Sequence, residues 1–275
     1  MPRGFSARRL QRAAQRFGLS LIRAVSLYPL RRSGAPAPAP RESAHGLKAS
    51  RAVAVYSELG AMLIPDVFAR FPAAAPRRGV LHVGAHICQE AELYDSLGMN
   101  ARDPAKVLWI EANADIAEFA AKEGGFPNIV CAAVSDADDA VVTFFITNAD
   151  GQSSSILPLA EHRREHPDIY EVAVRRVRTV TLDTLFEKLG IPHDRYDVAN
   201  LDIQGAELMA LRGAEKVLAG LRAIYTEVNT KELYTGCALL PEMDEFLGAR
   251  GFVRVALELT QNSWGDALYV RKEFA

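Results

Sequence analysis

The stretch LHVGAHICQEAELY, residues 81–94, decides how the rest of the chain is read. An apolar run (Val80, Leu81, Val83) reaches Gly84, and a helical pattern follows. A buried strand that turns into a helix at a glycine opens a βαβ unit, because the missing Cβ lets backbone N–H groups approach a ligand. The GxGxxG dinucleotide fingerprint is incomplete here, since Cys88 stands where a second glycine often sits. That glycine makes room for a pyrophosphate. A ligand without one suits this loop better.

Outward from Gly79, strand and helix patterns alternate. GVLHVG, KVLWIEA and NIVCAAV read as three strands, with helices over QEAELYDSLG and DIAEFAAKEGG between them. YDVANLDI, LRAIYTEVN, GFVRVALEL and DALYVRK read as four more, with helices at GAELMALRGAEKVLAG and LLPEMDEFLGARG. This rhythm predicts a doubly wound, mostly parallel seven-stranded sheet in an α/β fold. The link between the last two strands is short enough for a hairpin, so the last strand is expected to run antiparallel. That variant of the Rossmann-like architecture is the class I methyltransferase one. Residues 140–180 interrupt the rhythm with VVTFFITN and VAVRRVRTV around a polar stretch, an inserted β-ribbon and loop suited to shaping a pocket.

The chain has 275 residues, 49% hydrophobic and 24% charged, ample for a sizeable core. Its three cysteines are far apart and form no CxxC pair, which argues against a disulfide framework and a cysteine zinc site and fits a reducing, cytoplasmic compartment. No apolar run approaches the roughly 20 residues of a membrane span. The net charge of −2 hides a split: residues 1–48 hold ten basic groups and one acid, the remainder 22 basic and 33 acidic. The body therefore lacks the basic balance of a nucleic-acid binder.

The boundary is read as a basic tail with a Pro/Ala linker over 1–48 and a globular domain over 49–275, with a helix capped by Ser50 and broken near Pro65. On a helical projection, residues 8–28 set Leu10, Ala14, Phe17 and Leu21 against Arg8, Arg9, Arg12 and Arg16. Such a segment suits peripheral contact with an anionic membrane, an organelle presequence, or a solvated tail.

Site candidates follow the strand ends. Glu111 ends the second strand 27 residues after Gly84, where an acid accepts hydrogen bonds from ribose hydroxyls; the alternative is a surface acid beside a cap at Asn113. Asp136, past the third strand, suits an adenine amino group or a plain turn. Asp202 is the first candidate for a general base and Glu227 the second, with Asn229 on the same strand face as Glu227. Asp202 also suits the N-cap of a helix over 205–219. His86 touches cofactor or acceptor, or bonds locally. Gln152, Ser153 and Ser154 offer an amide and hydroxyls to a polyhydroxylated acceptor. Asp202, Glu227 and Asn229 form too weak a signature to assign a metal, and His162 and His166 read as a solvated helix face.

The blocks VGAHICQEA, WIEAN, AAVSD, GQSSSIL, VTLDTLF, LDIQGAELMALRGAEKVL and EVNTKELYTG, in this order, resemble the FkbM-type S-adenosylmethionine-dependent methyltransferases from about Val80 to Tyr269. The resemblance implies O-methylation of a small-molecule or glycan acceptor, a sugar or natural-product hydroxyl. Carried over by position, Gly84, Ala85 and His86 line the methionine part of the cofactor and Glu111 its ribose, with His82, Asp136 and Asp202 completing the cofactor set. The chain departs from the family pattern at His82, often acidic, and at Cys88, often glycine. A non-catalytic S-adenosylmethionine-binding module and a nicotinamide-dependent oxidoreductase are the competing readings. The incomplete glycine fingerprint and the antiparallel last strand count against the second.

Overall fold

The computed structural model describes residues 64–275. The basic stretch, the linker, the 48/49 boundary and the Ser50 cap lie outside the described residues. The described chain opens with α1 (Ile64–Arg70), whose Val67 and Phe68 are buried.

The parallel half of the main sheet is built from β1 (Val80–Val83), β2 (Val107–Glu111) and β3 (Ile129–Cys131), connected by α2 (Ala91–Ser96) and α3 (Ala114–Lys122). After an excursion, the chain returns through β7 (Val198–Leu201) and β8 (Ala223–Asn229), then α8 (Leu240–Ala249), β9 (Phe252–Leu259) and β10 (Trp264–Arg271). The seven strands lie in the order β3-β2-β1-β7-β8-β10-β9, with β10 antiparallel to both neighbours, as expected. β1, β2, β7 and β8 are buried along their whole length, which is why they read as near-continuous apolar runs. Chain order reverses between β1 and β7, and an open sheet leaves its ligand crevice at the carboxyl ends of such strands.

The excursion forms a second sheet, β4-β6-β5, from β4 (Ala133–Val134), β5 (Val141–Thr147) and β6 (Glu171–Val180), with the one-turn α4 (His162–Glu165) in its loop. β5 and β6 are the expected antiparallel ribbon. NIVCAAV is not one strand. Its first half pairs with β2 and its second with β6, so the chain leaves the main sheet at Ala132.

The expected helix over 205–219 is likewise two, α6 (Glu207–Arg212) and α7 (Glu215–Gly220). Between them Gly213 presses so closely on the main chain that a Cβ would fall 2.3 Å from the Ser135 carbonyl oxygen. α5 (Leu182–Leu189) is capped by Thr181, whose hydroxyl accepts from Thr184 N–H, and buries Leu182, Leu185, Phe186 and Leu189 against the same layer.

Opposite the crevice, Asp197 organises the entry to the central strands. Its carboxylate accepts from the N–H groups of Arg77, Arg78 and Gly79 and pairs with the buried Arg222 at 3.3 Å. Among the described residues, no helix is long and apolar enough to cross a membrane.

Candidate active site

The carboxyl ends of β1 and β7 meet through Gly84. Asp202 N–H donates to the Val83 carbonyl, and a Cβ on Gly84 would fall 1.7 Å from the Asp202 carbonyl oxygen. Gly84 also has φ +92°, so the position admits only glycine for two separate reasons. The turn continues through His86 (φ +45°) and Cys88 (φ +61°), both left-handed. Cys88 thus keeps a backbone that glycine adopts freely, and the departure from the family residue leaves the loop's shape intact.

Glu111 ties this turn to β2. One carboxylate oxygen accepts from His86 N–H at 2.8 Å, the other from Asn113 N–H at 2.7 Å. Each oxygen has further lone-pair capacity. Asn113 is itself the cap of α3, accepting from Asp115 N–H. Burial pushes the Glu111 carboxyl above its ordinary range, against these hydrogen bonds.

Above the turn opens a cavity of about 1170 Å³. A single-ligand pocket is typically about 300–1,000 Å³, so there is room for two ligands side by side. Ile116, Phe119, Ala132 and Phe144 wall it on the β2–β3 side; Asp202, Gln204, Glu227, Tyr234, Trp264 and Asp266 line it on the β7–β10 side. The ribbon loop joins the two. The Asp150 carbonyl lies 2.8 Å from His86 Nε2, and Ser155 Oγ donates to the Gln204 carbonyl at 2.8 Å.

Of the residues singled out in the sequence, Gly84, His86, Glu111, Gln152, Ser153, Ser154, Asp202 and Glu227 all line this cavity. Four others do not. His82 is buried beside β2, where its Nδ1 lies 2.8 Å from Tyr94 Oη and its ring packs on Trp109. Burial lowers its pKa to about 3, leaving it neutral. Ala85 turns its methyl into the core beneath α2. Asp136 is exposed and accepts from Ser135 Oγ, because the chain has left the main sheet at Ala132 before reaching it; Ala132, Ala133 and Val134 form the wall instead. Asn229 is buried on the Glu227 face of β8, outside the lining, with its Oδ1 unpartnered. His162 and His166 are not a solvated face: His162 is buried, its ring 5.4 Å from that of Tyr234, and both line the cavity.

The chemistry concentrates at Asp202 and Glu227. Gln204, itself left-handed at φ +58°, donates from one Nε2 to Asp202 Oδ1 at 2.7 Å and to Glu227 Oε2 at 2.8 Å, while its Oε1 accepts from Tyr234 Oη. Burial raises the Asp202 carboxyl. Burial, then the charges of Asp202 and Glu207, hold Glu227 well above the usual carboxylate range. The interaction between the two carboxyls works to raise Glu227 and to lower Asp202, so Asp202 is the more acidic of the pair. Asp202 caps no helix; Glu207 instead folds back to accept from Ile203 and Gly205 N–H. Gln204, Tyr234 and Glu90 were missed in the sequence, and the one local signal was the Gln204–Gly205 turn after an apolar strand.

The family description "Methyltransferase FkbM domain" matches residues 82–254. The chain belongs to the FkbM methyltransferase family. Its methyl donor is S-adenosylmethionine, and its acceptor is a small molecule. No curated protein matches this FkbM methyltransferase. Among solved structures it is similar to Thermoplasma acidophilum 1320, at 12% identity over 76% of this chain and 81% of that one, TM-score 0.34. It is also similar to magnesium protoporphyrin IX methyltransferase (ChlM) from Synechocystis PCC 6803 with bound SAM, at 11% identity over 84% and 100%, TM-score 0.38.

The FkbM cavity fits that donor on its own chemistry. Its apolar wall suits a purine, the spare lone pairs of Glu111 suit a diol, and the close Gly84 turn makes no provision for a phosphate. Arg102, the lone arginine or lysine of the lining, lies over the Phe126 ring and within 4.0 Å of Asp95. Among the described residues, no group of three or more His, Cys, Asp or Glu is placed to hold a metal ion.

Proposed function

We propose that the protein is an O-methyltransferase acting on a hydroxyl of a polyhydroxylated acceptor, a sugar, glycan or natural product. The observation that carries this reading is the Asp202–Glu227 pair bridged by Gln204. S-adenosylmethionine supplies an electrophilic methyl group on a sulfonium; a hydroxyl attacks it well only if its proton has somewhere to go. Asp202, raised above its ordinary pKa by burial, is the base that takes that proton. Glu227 stays protonated and holds Asp202 in place, and Gln204 fixes the spacing of both. A carboxylate acceptor would need no base and would be repelled here.

Gly84, His86 and Glu111 hold the donor. Gln152, Ser153 and Ser154, on the ribbon loop, offer hydrogen bonds to the acceptor's other hydroxyls and orient it, which is worth much of the barrier. The catalytic domain runs over 49–275, with 1–48 as an appendage.

The test is transfer of tritiated methyl from S-adenosylmethionine to a panel of methyl glycosides, comparing wild type with Asp202→Asn. The expected product survives mild alkali, as an ether does. The variant should bind S-adenosylhomocysteine within about threefold of wild type yet lose roughly 10²–10⁴ in kcat, the usual share of a general base. An alkali-labile product, or wild-type turnover in the variant, sinks the reading. Binding without transfer to any acceptor favours the non-catalytic module.

A further inference from the structure

Several carboxyls line the cavity, and four of them have plain partners within the protein. Glu111 accepts from two backbone N–H groups, Asp202 and Glu227 share the Gln204 amide, and Asp115 pairs with Arg175. Glu90 is different. It sits at the N-cap position of α2, where a carboxylate ordinarily accepts from the helix's free N–H groups, yet its side chain makes no capping bond. Instead the carboxyl faces the cavity. Its ion-pair neighbour among the described residues is His82 Nε2 at 3.9 Å, and that ring is neutral, with its Nδ1 bonded to Tyr94. Burial, and to a lesser degree the negative charge of Asp202, raises Glu90 to about 7, against a hydrogen bond from its own backbone N–H. Two carboxyls therefore face the space above Gly84; the His86 imidazole lies near Asp202, and among the described residues no such group acts on Glu90.

With both carboxyls ionised such an arrangement is costly, and a proton or a cation that enters from outside relieves it. The methyl donor carries one besides its sulfonium, the ammonium of its amino-acid end. That end cannot lie against the apolar wall of Ile116, Phe119 and Phe144, nor be met by His82. We propose that Glu90 binds the α-ammonium group of the methyl donor. The proposal rests on that donor occupying this cavity. It makes the helix-start acid do what the side chain at 82 cannot, because that ring is neutral and hydrogen-bonded to Tyr94.

The experiment is calorimetric titration of the full chain at pH 8, wild type and Glu90→Gln, with two ligands: S-adenosylhomocysteine and its deaminated analogue, which keeps the carboxylate and lacks only the amino group. A hydrogen-bonded charge partner of this kind corresponds to about ten- to fiftyfold in affinity. Wild type should lose that factor on going to the deaminated ligand. Glu90→Gln should lose a similar factor for S-adenosylhomocysteine, and should bind the deaminated ligand as well as wild type does, which also shows that it is folded. The proposal is overturned if Glu90→Gln binds S-adenosylhomocysteine like wild type, or if it weakens both ligands equally. If wild type binds neither ligand, the placement of the donor in this cavity falls, and Glu90 with it.

Discussion

Replacing Gly84 by alanine tests the contact on which the whole site is built. Two costs are separable. An L-residue at φ +92° pays roughly 1–2 kcal/mol for left-handed backbone. The added methyl would also fall 1.7 Å from the Asp202 carbonyl oxygen, about half an ordinary contact distance, so β1 and β7 must part at their ends. Overpacking of this kind costs about 1–3 kcal/mol. The sum, roughly 2–5 kcal/mol, is a large fraction of the ~5–15 kcal/mol that holds a typical domain folded. At about 2–4 °C per kcal/mol, Tm should fall by roughly 4–20 °C. Gly98→Ala supplies the control: φ is +78°, but nothing lies within 4 Å of the added methyl. It should lose only the backbone cost, partly offset by a stiffer unfolded chain. Thermal unfolding of both variants, with S-adenosylhomocysteine titration in parallel, reads the difference. If Gly84→Ala melts within about 2 °C of Gly98→Ala and binds normally, the close approach of Gly84 to Asp202 is not what shapes the site.

Asp197→Asn leaves Arg222 buried without its counter-charge and should cost roughly 3–5 kcal/mol, read by chemical denaturation. Glu207 is raised from 4.5 to about 7, so its contribution to stability is fully present below pH ~4.5 and is lost as pH rises through 7. Glu207→Gln should therefore gain on wild type by on the order of 2–3 kcal/mol between pH 5 and pH 8; a gap that stays constant with pH refutes the burial argument. For residues 8–28, the membrane-surface reading predicts cosedimentation with phosphatidylserine vesicles at low salt, abolished when Arg8, Arg9, Arg12 and Arg16 become glutamate. No cosedimentation would leave the targeting and solvated-tail readings.

The strands were legible because each central strand is buried on both faces and so carries a largely apolar run, as in VLHV and VLWIE. The hairpin of β9 and β10 followed from a link too short to cross over. What escaped was set by distant partners. Gly213 looks like any helical glycine until the Ser135 carbonyl is packed against it, and that contact splits the helix. Asp136 keeps the chemistry of an adenine contact, yet the chain's move to the second sheet at Ala132 carries it out to solvent. Alternation along β1 and β8 says that His82 and Asn229 share a face with Gly84 and Glu227, but not which side chains reach the cavity. Glu90 and Gln204 were invisible for the opposite reason: one resembles a solvent-facing acid in a helical pattern, and the other's role depends on Tyr234, 30 residues away.

The two indoles of the chain are placed to report different events. Trp109 is fully buried outside the cavity lining, its Nε1 donating to the Ala101 carbonyl and its ring set among His82, Tyr94 and Phe126. Trp264 stands in the cavity wall, two residues along β10 from Asp266. Emission from the first is shielded from aqueous quenchers and changes only when the β1–β2 face opens. Emission from the second responds to whatever fills the cavity beside it. With one tryptophan changed to phenylalanine at a time, the same protein yields a folding probe and an occupancy probe without a label.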